Sequence, residues 1–122
     1  MNARRTIPAL LVLSLMLVGW STFHLEIVAS VPDEDEVLQE APEVVWLEFT
    51  AAADLARSSF SIRGPDGTVE LGDIEAGDTD EVIRAAVLGE MPAGAYTVSW
   101  VGAPVDDHTV RGRFDFTIET AQ

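Results

Sequence analysis

Two residues of this chain stand at a spacing suited to coordination chemistry. Asp106 and His108 lie at i and i+2 in a short loop, and a carboxylate and an imidazole so spaced can face one metal ion from the same side. Asp107, between them, takes the carboxylate role if the loop turns the other way. The only other histidine is His24. An isolated D-x-H also reads as ordinary solvated loop residues, and the three letters alone do not separate the two readings.

The flanking stretches must position this loop. Before it, Tyr96, Val98 and Trp100 fall on every second residue; after it come Val110, Phe114, Phe116 and Ile118. A period of two marks half-buried strands, so the loop joins two long strands that a packed core would hold rigid. Gly112 interrupts the second apolar series where a large side chain is expected.

The chain has 122 residues, enough for one domain at most. Residues 1–23 read as a secretory signal peptide, with Arg4 and Arg5 followed by an apolar run over residues 7–20. That run is shorter than the roughly 20 residues that cross a bilayer. A cut before His24 leaves Phe23 at the position that prefers a small residue. Cuts after Ser21 or Ser30 fit that rule better, and the latter would remove His24. From His24 onward, five arginines face 21 acidic residues, a formal charge of −16 with no lysine. Such a surface repels nucleic acid and anionic lipid and enriches cations. A salt-adapted solubility role fits the charge equally well. With no cysteine, a disulfide framework and thiolate metal ligation are excluded.

Along the chain, residues 24–30 alternate as a first strand that Pro32 stops. Residues 33–40 are strongly acidic and read as a solvated loop. Val45, Leu47 and Phe49 define a second strand. Residues 51–57 read as a helical turn or a wide loop, and Phe60 and Ile62 as a third strand. Pro65-Asp66-Gly67 is a turn signal, with residues 68–71 returning as hairpin partner. Residues 72–81 are acidic and turn-rich. Ile83, Ala85 and Val87 form a further strand, and Met91-Pro92-Ala93-Gly94 turns into the Tyr96 strand. About seven short strands without a convincing helix predict an all-β, immunoglobulin-like antiparallel β-sandwich of Greek-key type.

Three separated stretches carry a resemblance. They are HLEIVASVP at residues 24–32, APEVVWLEFT at residues 41–50, and PAGAYTVSW at residues 92–100 followed by DDH at 106–108 and GRFDF at 112–116. In that order and spacing the chain resembles the CopC/PcoC-type periplasmic copper-resistance family over essentially all of residues 24–122. The resemblance implies a seven-stranded sandwich with one Cu(II) ion at one end. It implies His24 as the mature N-terminus, its amine and imidazole both ligating, with Asp106 and His108 completing the metal set. An amine, two imidazoles and a carboxylate suit the tetragonal N,O preference of Cu(II). Three further departures stand out: Ala51 occupies a position that is acidic in some members, Thr109 stands where a proline usually follows the loop histidine, and Met91 is the only methionine after the leader, so methionine-rich Cu(I) sites are absent.

The expected function is a non-catalytic, monomeric periplasmic carrier or buffer of copper, without nucleic-acid or membrane binding after signal cleavage. Its protein partners would be an inner-membrane copper importer or a multicopper oxidase. Two other functions share the outline. One is an immunoglobulin-like interaction or assembly module with a lost or incidental metal site. The other is a small copper oxygenase built on an N-terminal histidine. Against the oxygenase, no flat aromatic substrate face is evident, and the carboxylate would fill a coordination position that oxygen needs.

Overall fold

The alternating stretches around the D-x-H loop form the two longest strands. The structure, a computed structural model, describes residues 25–105 and 108–119; the leader-like segment, His24, Asp106, Asp107 and residues 120–122 lie outside the described residues. Strands β8 (Gly94–Gly102) and β9 (Val110–Ile118) pair antiparallel in unbroken register, from Gly94 opposite Ile118 to Gly102 opposite Val110. Tyr96, Val98 and Trp100 face inward with Phe114, Phe116 and Ile118, as the period of two requires.

Around that hairpin, β2 (Val37–Leu38), β4 (Ser59–Gly64) and β5 (Gly67–Thr68) complete a five-stranded sheet in the order β2-β9-β8-β4-β5. Facing it is a four-stranded sheet of β1 (Ile27–Val31), β3 (Val44–Phe49), β7 (Val82–Ala86) and β6 (Glu75–Ala76), in the order β1-β3-β7-β6. The core lies between them, with Val45, Leu47, Phe49 and Ile83 from one sheet against Ile62, Tyr96, Val98 and Phe116 from the other. This is the expected immunoglobulin-like β-sandwich.

Three strands have only two residues each, and all three stretches contradict or refine the sequence reading. The acidic stretch 33–40 contains β2, which pairs in parallel with β9 through Val37–Thr117 and Leu38–Ile118. Two residues carry no periodicity, so the strand is invisible in the sequence. Acidic residues 72–81 likewise contain β6, paired with β7. The hairpin partner at 68–71 shortens to β5, with Gly67 at φ 104° in the turn as expected. The first strand begins at Ile27 rather than His24. Its register slips by one residue between Ile27 and Ala29, a bulge that turns Val28 outward and brings Ser30 inward.

Tyr96 ties the end of the sandwich remote from the D-x-H loop. Its hydroxyl donates to the Pro92 carbonyl, its ring stacks on Phe116 at 5.2 Å, and Gly64 lies flat against the ring's other edge. Burial, with a smaller contribution from the Asp66 charge, raises its pKa.

Candidate metal centre

Of the three sequence-derived candidates, the described residues contain His108; His24 and Asp106 lie outside them. His108 is exposed in the connection between β8 and β9, two residues before β9 begins. Among the described residues, no group of three or more His, Asp or Glu side chains is arranged to hold a metal ion. The elements that would position such a centre are nevertheless on view.

The root of the loop is fixed from three directions. Leu25, the first described residue, is 3% exposed and packs with Phe49 against Gly102, the last residue of β8. A β-carbon on Gly102 would come within 2.6 Å of the Leu25 side chain. The Glu26 amide donates to Thr50 Oγ1 at 3.1 Å, and the Thr50 amide donates back to the Glu26 carbonyl at 2.9 Å. The chain therefore enters the described fold beside the strand end from which the loop departs.

From the second direction, the 51–57 segment acts as a prop. It contains a short 3-10 turn, Leu55–Arg57, capped by the Asp54 side chain, which accepts from the Ala56 amide. Arg57 pairs with Asp54 at 3.0 Å and donates to the Pro104 carbonyl at 2.9 Å. The Asp54 amide donates to the Ala103 carbonyl at 2.7 Å. Buried Ser58 accepts the Ala103 amide on its hydroxyl at 3.0 Å. Residues 103 and 104 are thus held by backbone and side chain together. The hydrogen bond from Arg57, then that from the Ala56 amide, holds the Asp54 carboxyl below the usual carboxylate range. In the sequence alone this segment reads as a helical turn or a wide loop; its role depends on pairing with residues nearly fifty positions away, which no local pattern reports.

The third support comes from beneath. Trp100 sits in the core against Phe49, with ring centroids 5.5 Å apart. Its indole lies over Gly112, where a β-carbon would meet Cζ2 at 2.7 Å and Cε2 at 2.9 Å. The break in the β9 apolar series is the space the indole occupies. Ala51 and Thr109 are both exposed at this end, and neither carries a carboxylate. Met91 is buried in the core, which removes the one thioether beyond the leader from the surface.

A two-sheet immunoglobulin-like sandwich with a histidine-bearing loop at one end, braced by its own N-terminal entry, defines the class. The CopC domain model matches residues 27–119, and the chain belongs to the CopC family. Among solved structures, it is similar to PcoC, a methionine-rich copper resistance protein from Escherichia coli. Identity is 25% and the TM-score 0.71, over 80% of this chain and all of that one. It is also similar to CopC from Methylosinus trichosporium OB3b, at 24% identity and a TM-score of 0.72, over 81% of this chain and 97% of that one. No curated protein sequence matches it.

Proposed function

We propose that this protein is a periplasmic carrier or buffer of Cu(II), binding one ion through the His24 amine and imidazole, Asp106 and His108, without catalysis. Family membership supports copper resistance as the setting. The observation that carries the site is the entry of the chain at Leu25, packed against the root of the loop that bears His108. It also bears on signal cleavage. A cut after Ser30 would remove the buried Leu25 and most of β1, leaving the β3 edge unpaired, so a start upstream of residue 25 fits the fold. Residues 1–23 serve as the export signal in this reading. Copper passes onward to an inner-membrane importer or to a multicopper oxidase.

The chemistry of the donor set is coherent. The amine and imidazole of one N-terminal histidine close a chelate ring, so the second nitrogen binds at high effective concentration. Every proposed donor binds deprotonated, so affinity falls in acid. The test compares the domain starting at His24 with the same domain carrying one extra glycine before it. The extension turns the amine into an amide and leaves the core untouched. Cu(II) affinity is expected to drop at least about tenfold, roughly 1.4 kcal/mol, and His108→Ala is expected to cost a comparable amount without unfolding. Equal copper affinity for the extended and unextended proteins would refute the terminal-amine site.

A further inference from the structure

The outer face of the five-stranded sheet departs from the rest of this acidic protein. Cross-strand register sets three rows across β4, β8 and β9: Ser59–Val101–Arg111, Ser61–Ser99–Arg113 and Arg63–Thr97–Asp115. Three of the five arginines beyond the leader stand in these rows, all exposed. The other two, Arg57 and Arg84, are ion-paired with Asp54 and Glu75. Among the described residues, none of the three on this face forms an ion pair, in a chain with 21 acidic residues. The single carboxylate in the rows, Asp115, accepts from Thr97 Oγ1 at 2.7 Å instead. Arg111 and Arg113 project from the same side of one strand, about 7 Å apart along it, and their like charges repel; Asp33 and Glu34 line a neighbouring pocket with Arg113 but form no ion pair with it.

Between these arginines and the serines of β4 lies an open trough of about 430 Å³, lined on its outer side by Ser59, Ser61, Ser99, Val101, Arg111 and Arg113, with Val101 the one apolar residue of that floor. The three serines are short, so the floor is low and the arginines form a wall. Two strand spacings make the trough roughly 10 Å wide, the scale of a small molecule.

We propose that this trough binds a small polycarboxylate anion. Arg111 and Arg113 would each take one carboxylate on a guanidinium fork, while Ser59, Ser61 and Ser99 donate hydroxyl hydrogen bonds to the remaining oxygens. Two guanidinium groups at this separation favour a ligand with two or more carboxylates over a monocarboxylate. None of the proposed copper ligands takes part, so the site stands or falls independently of the metal reading.

The experiment titrates citrate into the metal-free domain at low salt, followed by amide chemical shifts. Saturable shifts are expected at Ser59, Ser61, Ser99, Arg111 and Arg113, weakening as salt rises. Acetate at matched ionic strength is expected to bind at least about tenfold more weakly. The double variant Arg111→Gln, Arg113→Gln, folded by its amide spectrum, should lose about tenfold or more in citrate affinity. Arg84→Gln, on the other sheet, should lose none. Non-saturating shifts, equal response to acetate, or unchanged citrate binding by the double variant would each overturn the proposal.

Discussion

Replacing Gly64 by alanine tests how tightly the Tyr96 corner is locked. A β-carbon at Gly64 would lie 2.2 Å from Tyr96 Cε2 and 2.5 Å from Cδ2, well inside contact distance. The backbone at Gly64 is not left-handed, so the clash is the only steric penalty. The ring cannot easily yield, because Phe116 stacks on it and its hydroxyl is tied to the Pro92 carbonyl. Overpacking of this kind costs about 1–3 kcal/mol, and pulling the hydroxyl off the carbonyl adds about 1 kcal/mol. The lower backbone entropy of unfolded alanine returns about 0.4–1 kcal/mol. The net loss is about 1–3.6 kcal/mol, a fall in Tm of roughly 4–29 °C for a domain of this size. Tyr96→Leu removes the offending ring edge, so in that background Gly64→Ala should be nearly neutral, or stabilising by filling the space left. Thermal and urea unfolding of the four proteins in the cycle give the coupling directly. An equal penalty for Gly64→Ala in both backgrounds would show that the ring contact is not its cause.

Tyr96 is the only tyrosine in the chain, so the phenolate absorbance of the folded protein reports it alone; its midpoint is expected above the ordinary value of about 10. Because the folded pKa is raised, the contribution of Tyr96 to stability is intact below pH 10 and is lost as pH rises through the folded value. Tyr96→Phe should remove that alkaline loss in urea midpoints measured on either side of it. Asp54 has the opposite sign: its folded pKa is depressed, so its contribution is present above the usual carboxylate range near 4 and disappears as pH falls through the folded value. Carboxyl NMR should place Asp54 below an ordinary aspartate and move it upward in Arg57→Ala. From the proposed N,O donor set, Cu(II) should bind far more tightly than Zn(II), and equal affinities in competitive titration would count against those ligands. Cu(I) should bind weakly, since no thiol exists and Met91 is buried; a tight complex in competition with a chromophoric chelator would contradict the ligand inventory.

Much of the sandwich was legible because its long strands each keep one face in the core. Val45, Leu47 and Phe49, and likewise Tyr96, Val98 and Trp100, announce themselves by alternation, and all six are buried. Pro65-Asp66-Gly67 declared its turn through backbone chemistry, and Gly67 adopts the positive φ that the turn needs. What escaped depends on pairing between distant segments. Val37 and Leu38 become a strand only because β9 lies beside them, and the bulge at Val28 arises from the register against Phe49 and Glu48. In the candidate centre, the D-x-H loop is visible in the residue types themselves, but the brace formed by Asp54, Arg57 and Ser58 is not. Its partners are backbone groups of residues 103 and 104, and backbone acceptors leave no mark on composition.

The short parallel pairing of β2 with β9 has a consequence for the order of assembly. β1 and β2 follow one another in the chain yet belong to opposite sheets, so the N-terminal segment straps the two together. β1 finds its partner β3 soon after it, but the partner of β2 is β9, the last strand among the described residues. In a chain that emerges N-terminus first, the strap therefore stays half fastened until β9 arrives, and the five-stranded sheet lacks its central hairpin for as long. Pairings between the two ends of a chain close slowly, since the loop entropy must be lost before any contact rewards it. Throughout that wait, Asp33, Glu34, Asp35 and Glu36 sit between the two halves of the strap. Their mutual repulsion keeps the unfastened segment solvated and away from neighbouring chains.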